Sequence, residues 1–513
     1  MSAVKQTSRS ETTIVNLATS ALAWGWPVIL AFVATPIIVS GLGNDAYGIR
    51  GLVTSITGYF ALLDLGLNGA VTKYLAEYHA KNDNPQVEEL LGTTLTTYTV
   101  FGLAGGVSIW LLAGWFATHL FAIPPEFHNQ AVWAFRLTGV GFFLSMITWW
   151  ASAIPTGIQR FDVFNGISIG FGTMAILGSL AAVFLGFGLI GVVAANLLAN
   201  LVTILAYWIY IRKLLPSIRI RFSFDREMFR RTVMFGLYMV GFRIFALLFA
   251  QLDSMLIGAW IGTAAVTFYI VPQQVAQVVH GINGKMMQVV FPMASEFSAK
   301  NDAQRMERLF VRGFNLSLVI GFAIALPLAV VGGPLLTYWV SPEMAKNSTL
   351  VLELLIVTFF LSGLTAMPTN ILCGINHPKY VTIGAMVSGL LGLALYFLLI
   401  KPFGIAGVAA GKALSVAITV IYYLVICHSK SGYSVRSVAL DSLRTFGLAV
   451  AVGLPAYFFL APLTRNLFEV FMLASVVGLT YCAACWWFGA IDSAEKRSLK
   501  AVAVRFAPKA FAP

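Results

Sequence analysis

Fourteen apolar stretches, separated by short polar segments, constrain this chain more than any other feature. They lie near 14–39, 51–74, 92–117, 131–157, 165–187, 191–211, 232–258, 266–290, 313–332, 348–371, 380–400, 407–427, 443–461 and 468–490. A spanning α-helix needs about 20 predominantly apolar residues, and in lipid only helices and closed barrels satisfy their own backbone. Of the 513 residues, 58% are apolar and 11% charged, against about 45–50% and about 25% in soluble proteins. This balance excludes a soluble enzyme and predicts an all-α integral membrane protein of about 14 transmembrane helices. The first stretch is too long for a signal-peptide core and has no convincing cleavage site, so it reads as a retained helix. No segment between the stretches could hold a soluble catalytic domain. No catalytic residue is assigned, and the chain reads as a non-enzyme.

The 33 Lys and Arg sort by side of the membrane. Twenty-five fall in segments on the N-terminal side and 4 on the opposite side, namely Arg50, Lys346, Lys401 and Arg465. The other 4 (Arg136, Arg243, Lys285 and Lys412) fall inside predicted spans. By the positive-inside rule, both termini are expected in the cytoplasm. The same split accounts for the net charge of +12 without nucleic acid. The densest run, residues 212–231, sets seven bases against Asp225 and Glu227. It reads as a topological anchor between two halves, with a hold on anionic lipid headgroups as the other reading.

An internal repeat joins those halves. GLNG at 66–69 returns as GING at 281–284, and AKND at 80–83 returns at 299–302. Pro155-Thr156 returns as Pro368-Thr369, and FGLIGVVAA at 187–195 as FGIAGVAAG at 403–411. Arg136 stands six residues before Phe142-Phe143, as Glu353 stands before Phe359-Phe360. All the offsets lie between 213 and 219. The expected organisation is a six-helix bundle over 1–211, a basic linker over 212–231, and a second six-helix bundle over 232–427. Two extra helices and a cytoplasmic tail follow over 428–513. Six spans is an even number, so both copies enter the membrane in the same orientation. A pseudo-twofold along the membrane normal is then expected, as in transporters that rock two bundles.

The first copy also carries a family pattern. Thr35-Pro36-Ile37-Ile38-Val39, Leu42-Gly43, Tyr47-Gly48 and Asp64-Leu65-Gly66-Leu67 resemble the opening of polysaccharide transporters. These are the O-unit flippases (Wzx-type) of the multidrug/oligosaccharidyl-lipid/polysaccharide superfamily. The family's Arg-Tyr pair is replaced here by Lys73-Tyr74, and Asp253-Ser254-Met255-Leu256-Ile257-Gly258 is similar to its Asp before an Ile-Gly span end. The resemblance implies a V-shaped pair of pseudo-symmetric bundles around a central cavity, in the bacterial inner membrane. There a polyprenyl-diphosphate-linked oligosaccharide would pass from the cytoplasmic to the periplasmic leaflet. The implied partners are the bilayer, that lipid-linked substrate, and the polymerase and glycosyltransferases of its pathway.

Ionisable groups at bilayer depth are costly and mark function by default. Asp64 sits near mid-membrane in the second stretch, with Asn68 one helical turn beyond. Arg243 is also near mid-membrane, and Asp253 lies closer to the periplasmic end of the same span. In the eighth stretch Gln273, Gln274, Gln277, His280, Lys285 and Gln288 share an arc of about 140° at 100° per residue. A diphosphate-linked sugar calls for cations at its phosphates, which Arg243 and Lys285 supply. Its hydroxyls call for amides and phenols, for which Asn68, Asn283, the glutamines, Tyr59 and Tyr238 are candidates. Each has a plainer reading: Lys285 as a snorkelling lysine, Arg243 as the ion-pair partner of Asp64 or Asp253. Asp64 is either a coupling-proton site or an interhelical bond, and H+ or Na+ are the candidate coupling ions. Arg136 and Glu353, equivalent and opposite in charge, are candidates for a periplasmic gate, and Lys412 for an interfacial anchor.

No G-x-x-x-x-G-K-[ST] loop is present, so ATP is not expected to drive the chain directly. Cys482-x-x-Cys485 lies in an apolar span and reads as packing, and no metal site or other cofactor is expected. Rival functions are a drug/cation antiporter and a peptidoglycan-precursor flippase. A membrane-embedded glycan ligase or polymerase is a further rival, though the periplasmic loops are too short for a usual catalytic loop. The basic intramembrane charges argue against cation extrusion.

Overall fold

The computed structural model describes residues 9–287 and 289–490, with backbone alone for 9–24, 238–250 and 431. Among the described residues there is no strand. Sixteen α-helices follow one another among these residues. They begin with α1 (Arg9–Leu42), α2 (Asn44–Phe60), α3 (Leu67–Ala80), α4 (Asn84–Trp115), α5 (His128–Gly157) and α6 (Phe161–Phe184). Next come α7 (Gly188–Leu214), α8 (Arg226–Trp260), α9 (Thr263–Met287), α10 (Val290–Ala299) and α11 (Ala303–Trp339). Last are α12 (Pro342–Leu364), α13 (Ala366–Gly374), α14 (Pro378–Ser431), α15 (Val435–Pro455) and α16 (Leu467–Trp487).

Among the described residues, ten helical stretches are long and apolar enough to cross a membrane. The broken pair α2 and α3 falls short of that, and so does α9. These hold Asp64, Asn68, Gln273, Gln277, His280 and Lys285. Polar groups along α9 and the break between α2 and α3 set these two stretches apart from the others. The 54 residues of α14 cover two predicted stretches and break at Gly404, whose φ of 56° and ψ of −137° leave the helical region.

The chain forms two compact units, residues 1–267 and 268–513. In the first, α5 packs between α4 and α7, α6 lies against α1 and α7, and α8 lies against α2, α3 and α4. The α4–α5 contact is backbone on backbone. A Cβ at Gly106 would lie 2.6 Å from the Gly139 carbonyl oxygen, and one at Gly139 would lie 2.5 Å from that of Gly106. Small residues at such crossings let helices gain dispersion contacts where lipid supplies no hydrophobic drive. In the second unit, α11 packs on α12, α15 and α16, while α12 lies against α14. Phe310 stacks on Tyr433 there at 3.9 Å between ring centroids.

Equivalent positions in the repeat adopt the same local structure. Asp83 accepts from the Gln86 amide (3.2 Å) to cap α4, and Asp302 accepts from the Arg305 amide (3.0 Å) to cap α11. Such caps satisfy amides that a helix start leaves bare. Just before them, Asn82 and Asn301 are left-handed at φ 55° and 52°, and Gly188 and Gly404 match at 58° and 56°. The exposed pair Glu77–Lys81 recurs as Glu296–Lys300, each lysine's hydrogen bond holding its partner carboxyl below the ordinary range.

Candidate functional site: a broken helix and its polar neighbours

The second apolar stretch is not one helix. After α2 the chain tightens into a 3₁₀ turn over Ala61–Asp64, turns left-handed at Leu65 (φ 47°) and Gly66 (φ 72°), and restarts as α3. Asn68 is therefore not a helical turn beyond Asp64 on a continuous span, as expected, but lies across a break. The reason is local: Gly66 is free to be left-handed, and Asp64 satisfies part of the new helix start. The Asp64 carboxylate Oδ1 accepts from the Asn68 amide (3.3 Å) and from the Tyr98 hydroxyl of α4. Asp64 is 5% exposed and Tyr98 is fully buried. A buried carboxylate without donors would be prohibitively costly, and here the break supplies one donor and α4 another.

The Asn68 side chain turns to α5, donating through Nδ2 to the Trp149 carbonyl (2.7 Å) and to Ser152 Oγ (3.3 Å). One turn on, Thr72 meets Thr156 at 3.3 Å. Opposite the break stands α8, where a Cβ at Gly236 would lie 1.9 Å from the Leu65 carbonyl oxygen. Higher on α8, Asp253 is fully buried, and its Oδ1 accepts from the Ser254 amide (2.8 Å). Gln251 faces α2, within 3.2 Å of where a Gly58 side chain would begin. The hydroxyl of Tyr59, on the next residue, is buried and has no hydrogen-bond partner among the described residues. The side chains of Arg243 and Tyr238, and Gln288 altogether, lie outside the described residues.

In the second unit the polar arc of α9 divides. Gln273 and Asn283 are buried, His280 is half-buried, and Gln277 and Lys285 are exposed. His280 Nδ1 lies 3.2 Å from Ser362 Oγ of α12. Asn283 donates to the Ser317 carbonyl (3.0 Å) and accepts from the Ser317 hydroxyl (2.9 Å), joining α9 to α11. Asn283 is the repeat equivalent of Asn68, so each copy ties this position across its own unit.

Arg136 and Glu353 each have partners within their own unit. The Arg136 guanidinium sits 5.2 Å from the Trp133 ring centroid and 5.6 Å from that of Trp110, a cation–π arrangement. Glu353 accepts from the Tyr457 hydroxyl at 2.9 Å. Lys412 is not an interfacial anchor: it is fully buried where α14 packs on α12, with Nζ 5.7 Å from the Phe359 ring centroid. Cys482 and Cys485 are free thiols, one exposed and one buried.

Sequence reasoning missed Tyr98, Ser317, Ser362 and the two tryptophans around Arg136. The first two had a signal in the repeat. Each stands fifteen residues after its helix cap, Asp83 or Asp302, and each bonds back to an earlier element of its own unit, the turn before α3 or helix α9.

Comparison with known proteins places this geometry in a family. A Shigella flexneri protein that carries the name O-antigen transporter is 24% identical over 395 residues, covering 76% of this chain and 91% of that one. Among solved structures, the lipid II flippase MurJ in an inward closed conformation shares the fold at a TM-score of 0.73. That match has 13% identity and covers 91% of this chain and 98% of that one. An inward-facing multidrug resistance transporter of the MATE family, in the MOP superfamily, gives a TM-score of 0.71. Its identity is 14%, and the match covers 79% of this chain and 94% of that one. The profile of the family described as polysaccharide biosynthesis protein matches residues 16–298, more than half of the length. A polytopic helical protein with a broken, polar second span and these relatives belongs to the polysaccharide biosynthesis protein family.

Proposed function

We propose that the protein is a flippase that moves a polyprenyl-diphosphate-linked oligosaccharide from the cytoplasmic to the periplasmic leaflet of a bacterial inner membrane, for polysaccharide biosynthesis. The observation that carries this reading is the gathering of polar candidates on the two helical stretches least suited to lipid, α9 and the pair α2 and α3, the latter broken at a buried carboxylate. Discontinuous spans with exposed helix ends are where secondary transporters bind substrate and coupling ion. The Shigella relative is named for O-antigen transport, and the lipid II flippase shares the fold, which supports a lipid-linked glycan as cargo.

In this reading the chain has fourteen spans in two six-helix halves plus two, both termini are cytoplasmic, and transport proceeds by alternating access. Arg243 and Lys285 hold the diphosphate; the planar fork of Arg243 donates two parallel bonds that a lysine cannot. Asn68, Gln273, Gln277, His280 and Gln288 meet sugar hydroxyls. Asp64 carries the coupling H+ or Na+, with Asp253 as the second acid on the path. Arg136 and Glu353 close the periplasmic side. The polymerase and glycosyltransferases of the same pathway supply and consume the cargo, and no chemical step is assigned to this chain.

The test is a clean deletion in a strain without a second flippase. Surface polymer should disappear while lipid-linked repeat units accumulate on the cytoplasmic leaflet. Normal polymer in that strain would overturn the reading. Dye efflux restored by the chain in a pump-deficient strain would instead favour a drug antiporter, whose fold this protein shares.

A further inference from the structure

Between α7 and α8 the chain runs non-helical over residues 215–225, and this segment is fastened along α4. The Arg219 amide donates to the Glu88 carboxylate (2.6 Å), and the Asp225 amide donates to Thr93 Oγ1 (3.0 Å). Thr96 Oγ1 donates to the Ser223 carbonyl (2.8 Å). Gly92 permits the approach, since a Cβ there would lie 2.1 Å from Ser223 Oγ and 2.7 Å from the Arg221 carbonyl oxygen. The inward side chains, Ile218 and Ile220, are buried, which fixes what faces outward. Arg219 and Arg221 are exposed, and so are Phe222 at 69% and Phe224 at 59%.

The charges on this outward face do not cancel. Asp225 caps α8 through the Met228 amide (2.7 Å), Glu88 is taken by the Arg219 backbone, and Glu227 pairs with Arg231. Glu89 lies near Asp225, and partial burial together with that second carboxylate raises its pKa. The guanidiniums of Arg219, Arg221, Arg226 and Arg230 are exposed and make no ion pair with a described residue. At the end of α7, Arg212 lies 4.6 Å from the Trp208 ring centroid and Lys213 lies 5.7 Å from that of Tyr210, both rings being exposed. Exposed Trp and Tyr at the end of a span mark the level of the lipid headgroups. Two half-bare phenylalanines beside four unpaired arginines at that level match a surface that is anionic outside and apolar beneath.

We infer that residues 208–231 form a docking surface for acidic phospholipid headgroups. The four arginines engage the phosphates, and Phe222 and Phe224 enter the acyl boundary. A topological anchor needs only positive charge; this segment also fixes the backbone that presents the charges and leaves aromatic rings uncovered beside them. The inference is independent of the cargo and of any coupling ion.

The experiment is native mass spectrometry of the purified full-length protein titrated with dioleoylphosphatidylglycerol or dioleoylphosphatidylcholine. The wild type should retain phosphatidylglycerol in preference. Each arginine near a charged headgroup contributes roughly fivefold in affinity. The variant R219Q/R221Q/R226Q/R230Q should therefore lose at least tenfold in phosphatidylglycerol affinity, with phosphatidylcholine unchanged. Phe222→Ser with Phe224→Ser should weaken both lipids. If the quadruple variant does not express, R219Q/R221Q alone should show a several-fold loss. Equal retention of the two lipids, or phosphatidylglycerol binding untouched by the arginine changes, overturns the inference. Stoichiometric displacement of phosphatidylglycerol by undecaprenyl diphosphate also overturns it, by giving the surface to a lipid diphosphate instead.

Discussion

Replacing Gly236 by alanine tests how the broken span is held. The added methyl would lie 1.9 Å from the carbonyl oxygen of Leu65 and 3.1 Å from its carbonyl carbon. Unstrained carbon contacts lie near 3.5 Å, so α8 and the break would have to part by about 1.5 Å. The obstacle is backbone, and no rotamer change can clear it. Overpacking of this kind costs about 1–3 kcal/mol, while the better helix propensity of alanine returns at most about 1 kcal/mol. The net loss of up to about 2 kcal/mol predicts a lower melting temperature in detergent and weaker transport, because the moving segment holds Asp64.

The control is built into the same sequence. A Cβ at Gly69 or at Gly284 would meet nothing within 4 Å, so Gly69→Ala and Gly284→Ala should match or exceed the wild type in stability. Melting curves of the three purified variants, with flipping measured in proteoliposomes, make the comparison. Gly236→Ala with wild-type melting and wild-type transport would refute the seating of α8 on the break.

Three further outcomes are expected. Reporter fusions after residues 220 and 335 should report cytoplasm and periplasm respectively; the same side at both would contradict the span order. Arg243→Ala should insert and fold yet lose flipping, with Arg243→Lys retaining part of it, whereas full transport by a well-expressed Arg243→Ala removes its assigned role. In a double-mutant cycle of Asp64→Asn with Tyr98→Phe, unfolding in mixed micelles should give a coupling of at least about 0.6 kcal/mol, the average for hydrogen bonds between spanning helices, and at most about 1.7 kcal/mol. Strict additivity would mean that the hydrogen bond contributes nothing to stability.

Hydropathy summed over twenty residues is a strong signal, which is why the helical stretches were legible. Gly404 was legible too, as a gap between two apolar runs. The break at 61–66 was not, because Ala61-Leu62-Leu63 and Leu65 read as continuous with the helices on either side. A left-handed leucine has no composition of its own; only Gly66 hinted at it. Tyr98 lies 34 residues from Asp64, and no local pattern links two positions that meet through helix packing. Lys412 shows the reverse error. A lone lysine in an apolar run reads as a snorkelling side chain, yet α14 packs that face on α12 and covers it completely.

The two copies of the repeat share their frame and differ in one respect that bears on mechanism. Caps, left-handed turns and surface ion pairs recur position by position, and Tyr98 and Ser317 reach back from equivalent places to an earlier element of their own unit. In the second copy the partner is a neutral amide, Asn283, on an unbroken α9, and Val279 stands where Asp64 would fall. In the first copy the partner is a carboxylate at a break. The two differences belong together. An unbroken helix commits its amides to bonds four residues back and has none to offer a buried acid. A break releases amides at the new start, and the Asn68 amide is the one that meets Asp64. Duplication thus supplied two equivalent supports, and only the first was opened into a place for a charge. At the equivalent places the first copy therefore holds a buried acid at a break, and the second a neutral hydrogen-bonding amide on a continuous helix.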